Sequence, residues 1–168
     1  MLFFVLINLF AMERFPITKI GFVNMEAELK DLKGRQRPEI IEAIAEARAH
    51  GDLKENAEYK AAKDKQSFIE GRIQDFEARI SMAEIIDPKE HSGKTVKFGA
   101  TVTLEDLETE KKKTYQIVGE YEANLEAGLI AYTSPVARAI IGKNEGDVVE
   151  VTTPKGIVEY EIVKVEFK

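Results

Sequence analysis

The chain has 168 residues, 44% hydrophobic and 32% charged, with a formal net charge of −6, which supplies a packed core and excludes a disordered chain. It has no Cys and only His50 and His91, so disulfides, thiolate metal sites, a Cys nucleophile and a multi-His centre are excluded and a reducing cytoplasm is the natural compartment. The acidic excess is shared evenly between residues 1–87 and 88–168, and neither half has the basic surface that autonomous binding of duplex DNA needs.

Residues 1–11, MLFFVLINLFA, are apolar apart from Asn8. They are too few to span a bilayer, which takes roughly 20 apolar residues, and they lack the basic start of a secretory signal. They read as a non-functional extension with Met12 as a candidate beginning, the alternative being a weak membrane or partner anchor.

Next come two helical seams. Phe22, Met25, Leu29, Leu32 and Gln36 recur in steps of three and four, and so do Arg37, Ile41, Ile44 and Arg48. The phase slips by one residue at Arg37–Pro38, which predicts a kink or a break there. Tyr59, Ala62, Gln66, Ile69, Ile73, Phe76, Ile80 and Ala83 form the second seam, a heptad pattern with charged residues on the other faces. Its helix is predicted to stop near Asp87–Pro88, because proline disfavours helical geometry in the residue before it. Two seams joined around His50-Gly51-Asp52 predict an antiparallel coiled-coil hairpin over residues 12–87. Arms of about 30 residues make it ~45 Å long, too thin to hide its tip.

After Pro88 the texture changes. Thr95–Phe98, Ala100–Leu104, Thr114–Val118, Leu129–Tyr132, Val148–Val151 and Ile157–Phe167 are short runs of β-branched and aromatic residues, several of them alternating. Ser134 as N-cap, Pro135 at the first helical position and Gly142 as terminator predict one short helix among them. Residues 88–168 thus read as a small α+β domain, an antiparallel sheet packed on a helix.

The tip carries the chemistry. In Gly51-Asp52-Leu53-Lys54-Glu55-Asn56-Ala57-Glu58-Tyr59, three carboxylates stand three residues apart, a spacing that shares a helix face. Exposed carboxylates suit a hard cation such as Mg²⁺, which takes one or two of them and keeps several waters; they do not make a self-sufficient cage. Capping competes as an explanation. Asp52 is a good N-cap, Glu55 stands at the third position of a capping box, and all three acids favour the positive end of a helix. Arg48, Lys54, Lys60, Lys63 and Lys65 make either an ordinary solvated surface or a short track for a phosphodiester strand. His50 could donate a proton, although a lone exposed His is more often incidental.

GDLKENAEY at 51–59 resembles the tip signature of the Gre transcript-cleavage factors of bacterial RNA polymerase, specifically the GreA type. RPEIIEAIAEARAHGDLKENAEYKAAKDKQ (37–66), EGRIQDFEARI (70–80), FGATVTL (98–104), YQIVG (115–119) and SPVARAIIGKNEGDVVEV (134–151) extend the resemblance in order. It covers the chain from about Ile17 onward, and residues 1–11 depart from it.

The resemblance implies a coiled-coil arm at 12–87 followed by an FKBP-like docking domain at 88–168. It implies a monomeric cytoplasmic factor with no membrane association, whose partners are bacterial RNA polymerase and the nascent RNA 3′ end. The arm enters the secondary channel, and the polymerase then cleaves backtracked RNA; the factor itself is no enzyme. Carried over by position, Asp52 and Glu55 face a Mg²⁺ ion shared with the polymerase active site and not bound stably by the factor alone. Glu58 is a supporting acid, Arg48 and Lys63 touch the RNA 3′ end, and Ser134 and Pro135 match the docking motif. Thr133 stands where the GreB type has an acid, which leaves the strength of that contact open. A channel-plugging antagonist of the same architecture is expected to carry a different, more acidic tip. An FKBP-like fold does not by itself make an isomerase, and a scaffold without chemistry would not need the tip acids.

Overall fold

A computed structural model describes residues 14–51 and 56–168 of the chain; residues 1–11 lie outside them. The described residues fall into two compact units, one of residues 22–83 and one of residues 14–21 with 84–168.

The first unit is the helical hairpin. Helix α1 runs Lys19–Asp31, α2 Arg37–Ala49 and α3 Ala57–Ser81. The partners run in opposite senses: Ala47 meets Asn56, Arg37 meets Glu70 and Lys33 meets Glu77. Between α1 and α2, Leu32–Gln36 wind as one π turn, and the Arg37 N–H bonds the Leu32 carbonyl five residues back. The phase slip therefore marks neither a break nor a stop. A π turn absorbs one extra residue while the helix continues. Pro38 brings no N–H, and its ring crowds the carbonyl four residues back, that of Gly34, which lies inside the wide turn.

The π turn also rotates the face that α2 presents to α3. The buried residues of the first arm are Met25, Leu32, Ile40, Ile44 and Ala47, and those of α3 are Ile69, Ile73 and Phe76. Ile41, placed in the seam by its spacing from Arg37, is 52% exposed, and Ile40 fills the position. Polar groups frame this strip. Arg37 grips Glu70 with two bonds, Nε at 2.7 Å and Nη2 at 2.5 Å. Arg72 reaches Glu28 at 2.5 Å, with its guanidinium 4.5 Å from the Phe76 ring centroid.

Helix α3 stops at Ser81, short of Asp87–Pro88. Ala83–Ile86 form strand β2 instead and pair with β1, Phe15–Thr18. Ile85 and Ile86 suit a pleated surface, and an available partner strand overrides the helical period.

The second unit holds a five-stranded sheet in the order β5-β4-β3-β7-β6. Its strands are β3 Thr101–Asp106, β4 Lys112–Val118, β5 Leu129–Ala131, β6 Val148–Thr153 and β7 Gly156–Glu166. The β3–β4, β3–β7 and β6–β7 pairs are antiparallel, as expected, but β4–β5 is parallel. Parallel neighbours need a crossover rather than a hairpin, and the two short 3₁₀ turns at Glu120–Glu122 and Leu125–Ala127 provide it. Thr95–Phe98, expected as a strand, contributes a single bridge from Thr95 to Asn144. Val102, Leu104, Ile117, Val149, Val151 and Ile162 point into one core, closed by Ala137 and Ile140 of α4, Pro135–Ile140. Among the described residues, no helix is long and apolar enough to cross a membrane.

Candidate functional site

Helix α2 ends where its last N–H groups find their carbonyls: the His50 N–H reaches the Ala47 carbonyl at 3.3 Å. Gly51 then takes φ of 130°, a conformation that a side chain disfavours. The chain re-enters helix at Ala57, and Asn56 makes that start. Its Oδ1 accepts the Tyr59 N–H at 3.0 Å, the bond of an N-cap. Its Nδ2 donates to the Ala47 carbonyl at 2.6 Å. One amide thus serves the N-terminus of α3 and the C-terminal end of α2 together.

Asn56 is the functional residue that sequence reasoning missed. Its signal was present, since Asn caps as well as Asp and Ser, but the capping-box match of Asp52 with Glu55 masked it. The cap of α3 is Asn56 and not Asp52. Asp52 and Glu55 lie outside the described residues. Glu58 is exposed in the first turn of α3, where a negative charge favours the helix dipole. Among the described residues, no three acidic or His side chains form a metal-holding group.

The two cations carried over for RNA flank the tip on different helices. Arg48, exposed in the last turn of α2, holds its guanidinium 5.8 Å from the Tyr59 ring centroid on α3, within cation–π range. Lys63, exposed on α3, extends its Nζ to Gln66 Oε1 at 2.8 Å. Both side chains are exposed.

Ser134 and Pro135, which match the family's docking motif, belong to the second unit. Ser134 caps α4 by accepting the Ala137 N–H on Oγ at 3.2 Å, and Pro135 follows at the first helical position. Beside them Thr133 donates its hydroxyl to Glu120 Oε1 at 3.1 Å. A carboxylate therefore stands next to Thr133 after all, supplied by a residue 13 positions earlier that no local pattern could have found.

Residues 15–85 match the family described as "Transcription elongation factor, N-terminal", and residues 90–167 match "Transcription elongation factor, GreA/GreB, C-term". A protein named Transcription elongation factor GreA from Ruegeria pomeroyi is 60% identical over 156 residues, 93% of this chain and 99% of that one. Its namesake from Hyphomonas neptunium is 55% identical over 94% of this chain and 100% of that one. The crystal structure of GreA factor homolog 1 of Thermus thermophilus shares 29% identity over 92% of this chain and 99% of that one, with a TM-score of 0.42. The chain belongs to the GreA/GreB family of transcription elongation factors.

Proposed function

We propose that this protein docks on bacterial RNA polymerase through its second unit, with Ser134 and Pro135 in the contact, and passes its helical arm into the secondary channel. There Asp52 and Glu55 act on a backtracked RNA 3′ end, and the polymerase cleaves it so that elongation resumes. The observation that carries the reading is the sequence GDLKENAEY where the chain passes from α2 to α3, in a chain of this family. Family membership makes the protein an accessory factor of transcription, not an enzyme.

The donor set fits the chemistry. Asp52, Glu55 and the exposed Glu58 offer only carboxylate oxygens, the ligand type that Mg²⁺ takes. Asp52 and Glu55 would hold the ion jointly with the polymerase, and Glu58 would support them. The ion they would hold would complete a two-metal site, whose chemistry is to position the attacking water at one ion and steady the leaving oxygen at the other. Arg48 and Lys63 meet the phosphates of the displaced strand and orient it. Asn56 holds together the two helix ends between which the acids lie in sequence.

The test is RNA cleavage by a stalled, backtracked polymerase with and without the full-length protein. Stimulated cleavage supports the reading. No stimulation, or inhibition of transcription, would favour the antagonist. RNA release by the protein with polymerase absent would show a nuclease instead.

A further inference from the structure

The described arginines of the hairpin unit are Arg35, Arg37, Arg48, Arg72 and Arg79. All but one pair with carboxylates: Arg35 with Asp31 and Glu39, Arg37 with Glu70, Arg72 with Glu28 and Arg79 with Asp75. Among the described residues Arg48 has no carboxylate; its guanidinium lies 5.8 Å from the Tyr59 ring centroid instead. The sequence withholds the usual partners, since Ala45 and Ile44 stand three and four residues before it, where an acid would pair along a helix. Arg72 gives the contrast: it lies 4.5 Å from the Phe76 ring centroid and still holds Glu28 at 2.5 Å.

The Tyr59 backbone is held beside Arg48 by Asn56. Asn56 Oδ1 accepts the Tyr59 N–H at 3.0 Å, and Asn56 Nδ2 binds the carbonyl of Ala47, the residue before Arg48, at 2.6 Å. Tyr59 is half-buried and Arg48 exposed. A carboxylate and a ring do different things to an arginine. The carboxylate takes its N–H donors in pairs, as Glu70 takes those of Arg37, and cancels its charge. The ring attracts the cation through its quadrupole but brings no opposite charge and no acceptor oxygen. Arg48 is thereby restrained while its charge and its donors stay available to a phosphate, and less side-chain freedom remains to be lost when one binds.

We infer that Tyr59 is a positioning residue for transcript cleavage: its ring holds the Arg48 guanidinium for the displaced RNA strand without neutralising it. This rests on the proposed contact of Arg48 with that strand. The role belongs to the ring and not to the hydroxyl, so phenylalanine serves in its place. An exposed contact of this kind is worth a factor of about two to five, so Tyr59 tunes Arg48 and does not replace it.

The test is a double-mutant cycle in the full chain, with Tyr59→Leu, Arg48→Gln and the two together, and with Tyr59→Phe to keep the ring. Leucine keeps apolar bulk and is a good helix former, so it removes the ring while α3 is retained. In cleavage by backtracked polymerase, Tyr59→Leu is expected to lower the saturating rate by about two- to fivefold, and Tyr59→Phe should match wild type. In the Arg48→Gln background Tyr59→Leu should cost nothing further, the non-additivity of residues that act as a pair. Without polymerase, the ring should shift the NMR signals of the Arg48 side chain in wild type and Tyr59→Phe, and Tyr59→Leu should abolish that shift. An equal loss from Tyr59→Leu with and without Arg48 would make Tyr59 a structural residue of the turn and overturn the inference. So would a loss in Tyr59→Phe as large as in Tyr59→Leu, or Arg48 signals that Tyr59→Leu leaves unmoved. If Arg48→Gln loses cleavage while Tyr59→Leu does not, the inference alone falls. If Arg48→Gln cleaves like wild type, or wild type stimulates no cleavage, the RNA contact proposed for Arg48 falls and takes the inference with it.

Discussion

The Asn56 side chain donates to the Ala47 carbonyl at 2.6 Å and so ties the start of α3 to the end of α2 across the tip. Both ends of that amide are used, because its oxygen also caps Tyr59. Asn56→Ala removes a cap worth about 1 kcal/mol and a cross-tip bond worth about 1 kcal/mol net. Asn56→Asp keeps the cap, loses the donor and sets a negative charge against the C-terminal end of α2, where the dipole opposes it. Thermal unfolding should therefore rank wild type above Asp and Asp above Ala. An Asp variant as stable as wild type would show that the Ala47 bond contributes nothing.

The same finding sharpens the test of Asp52. Since Asn56 caps α3, replacing Asp52 takes no cap from that helix. Both Asp52→Asn and Asp52→Ala should fold with stability within about 0.5 kcal/mol of wild type, as surface changes usually do. Both should dock normally and lose cleavage stimulation, because an amide or a methyl is a poor substitute for a charged Mg²⁺ ligand. Cleavage at the wild-type rate by Asp52→Asn, measured on backtracked complexes, would remove the metal role.

What the sequence conveyed depended on the range of the interaction. The seam of α3 was legible because Tyr59 to Ile80 repeat on one face, the face that holds the buried Ile69, Ile73 and Phe76. The phase slip at Arg37 was visible, but whether a kink, a break or a π turn resolves it depends on packing against α3, which local spacing does not contain. Strands β1 and β2 were not legible: each has four residues, and each exists through the other. The parallel β4–β5 pair and the Thr133–Glu120 contact are long-range or set by loop path. At the tip, residue types gave the acids, while the cap went to Asn56, a choice between two good capping residues that the fold makes.

The Arg37–Glu70 pair makes a pH prediction. The hydrogen bonds from Arg37, aided by its charge and opposed by partial desolvation, hold the Glu70 carboxyl below its ordinary value of 4.5. A lowered folded value means that the folded state favours the ionised form. The pair's contribution is complete above the unfolded value and fades as pH falls through the folded one. Glu70→Gln should therefore lower the thermal midpoint near neutrality, and its difference from wild type should shrink as the pH is taken well below 4.5. A difference that stays constant across that acid range would show that the pair's ionisation is not linked to folding.

Ser134 poses the remaining choice, between a cap and a contact. Its Oγ accepts the Ala137 N–H at 3.2 Å at the head of a six-residue helix, so Ser134→Ala should cost about 1 kcal/mol. Ser134→Asn restores a capping oxygen and should recover that stability. If the residue acts only by shaping α4, the Asn variant will compete for polymerase as well as wild type. The docking reading expects otherwise. The hydroxyl sits next to Pro135 and the Thr133–Glu120 pair, and a larger amide there changes the surface presented to the partner even though the helix is intact. Both variants should then compete poorly with labelled wild-type protein for polymerase, while only Ser134→Ala unfolds earlier. Full competition by Ser134→Asn would assign Ser134 to the fold of the second unit and move the docking contact elsewhere on its surface.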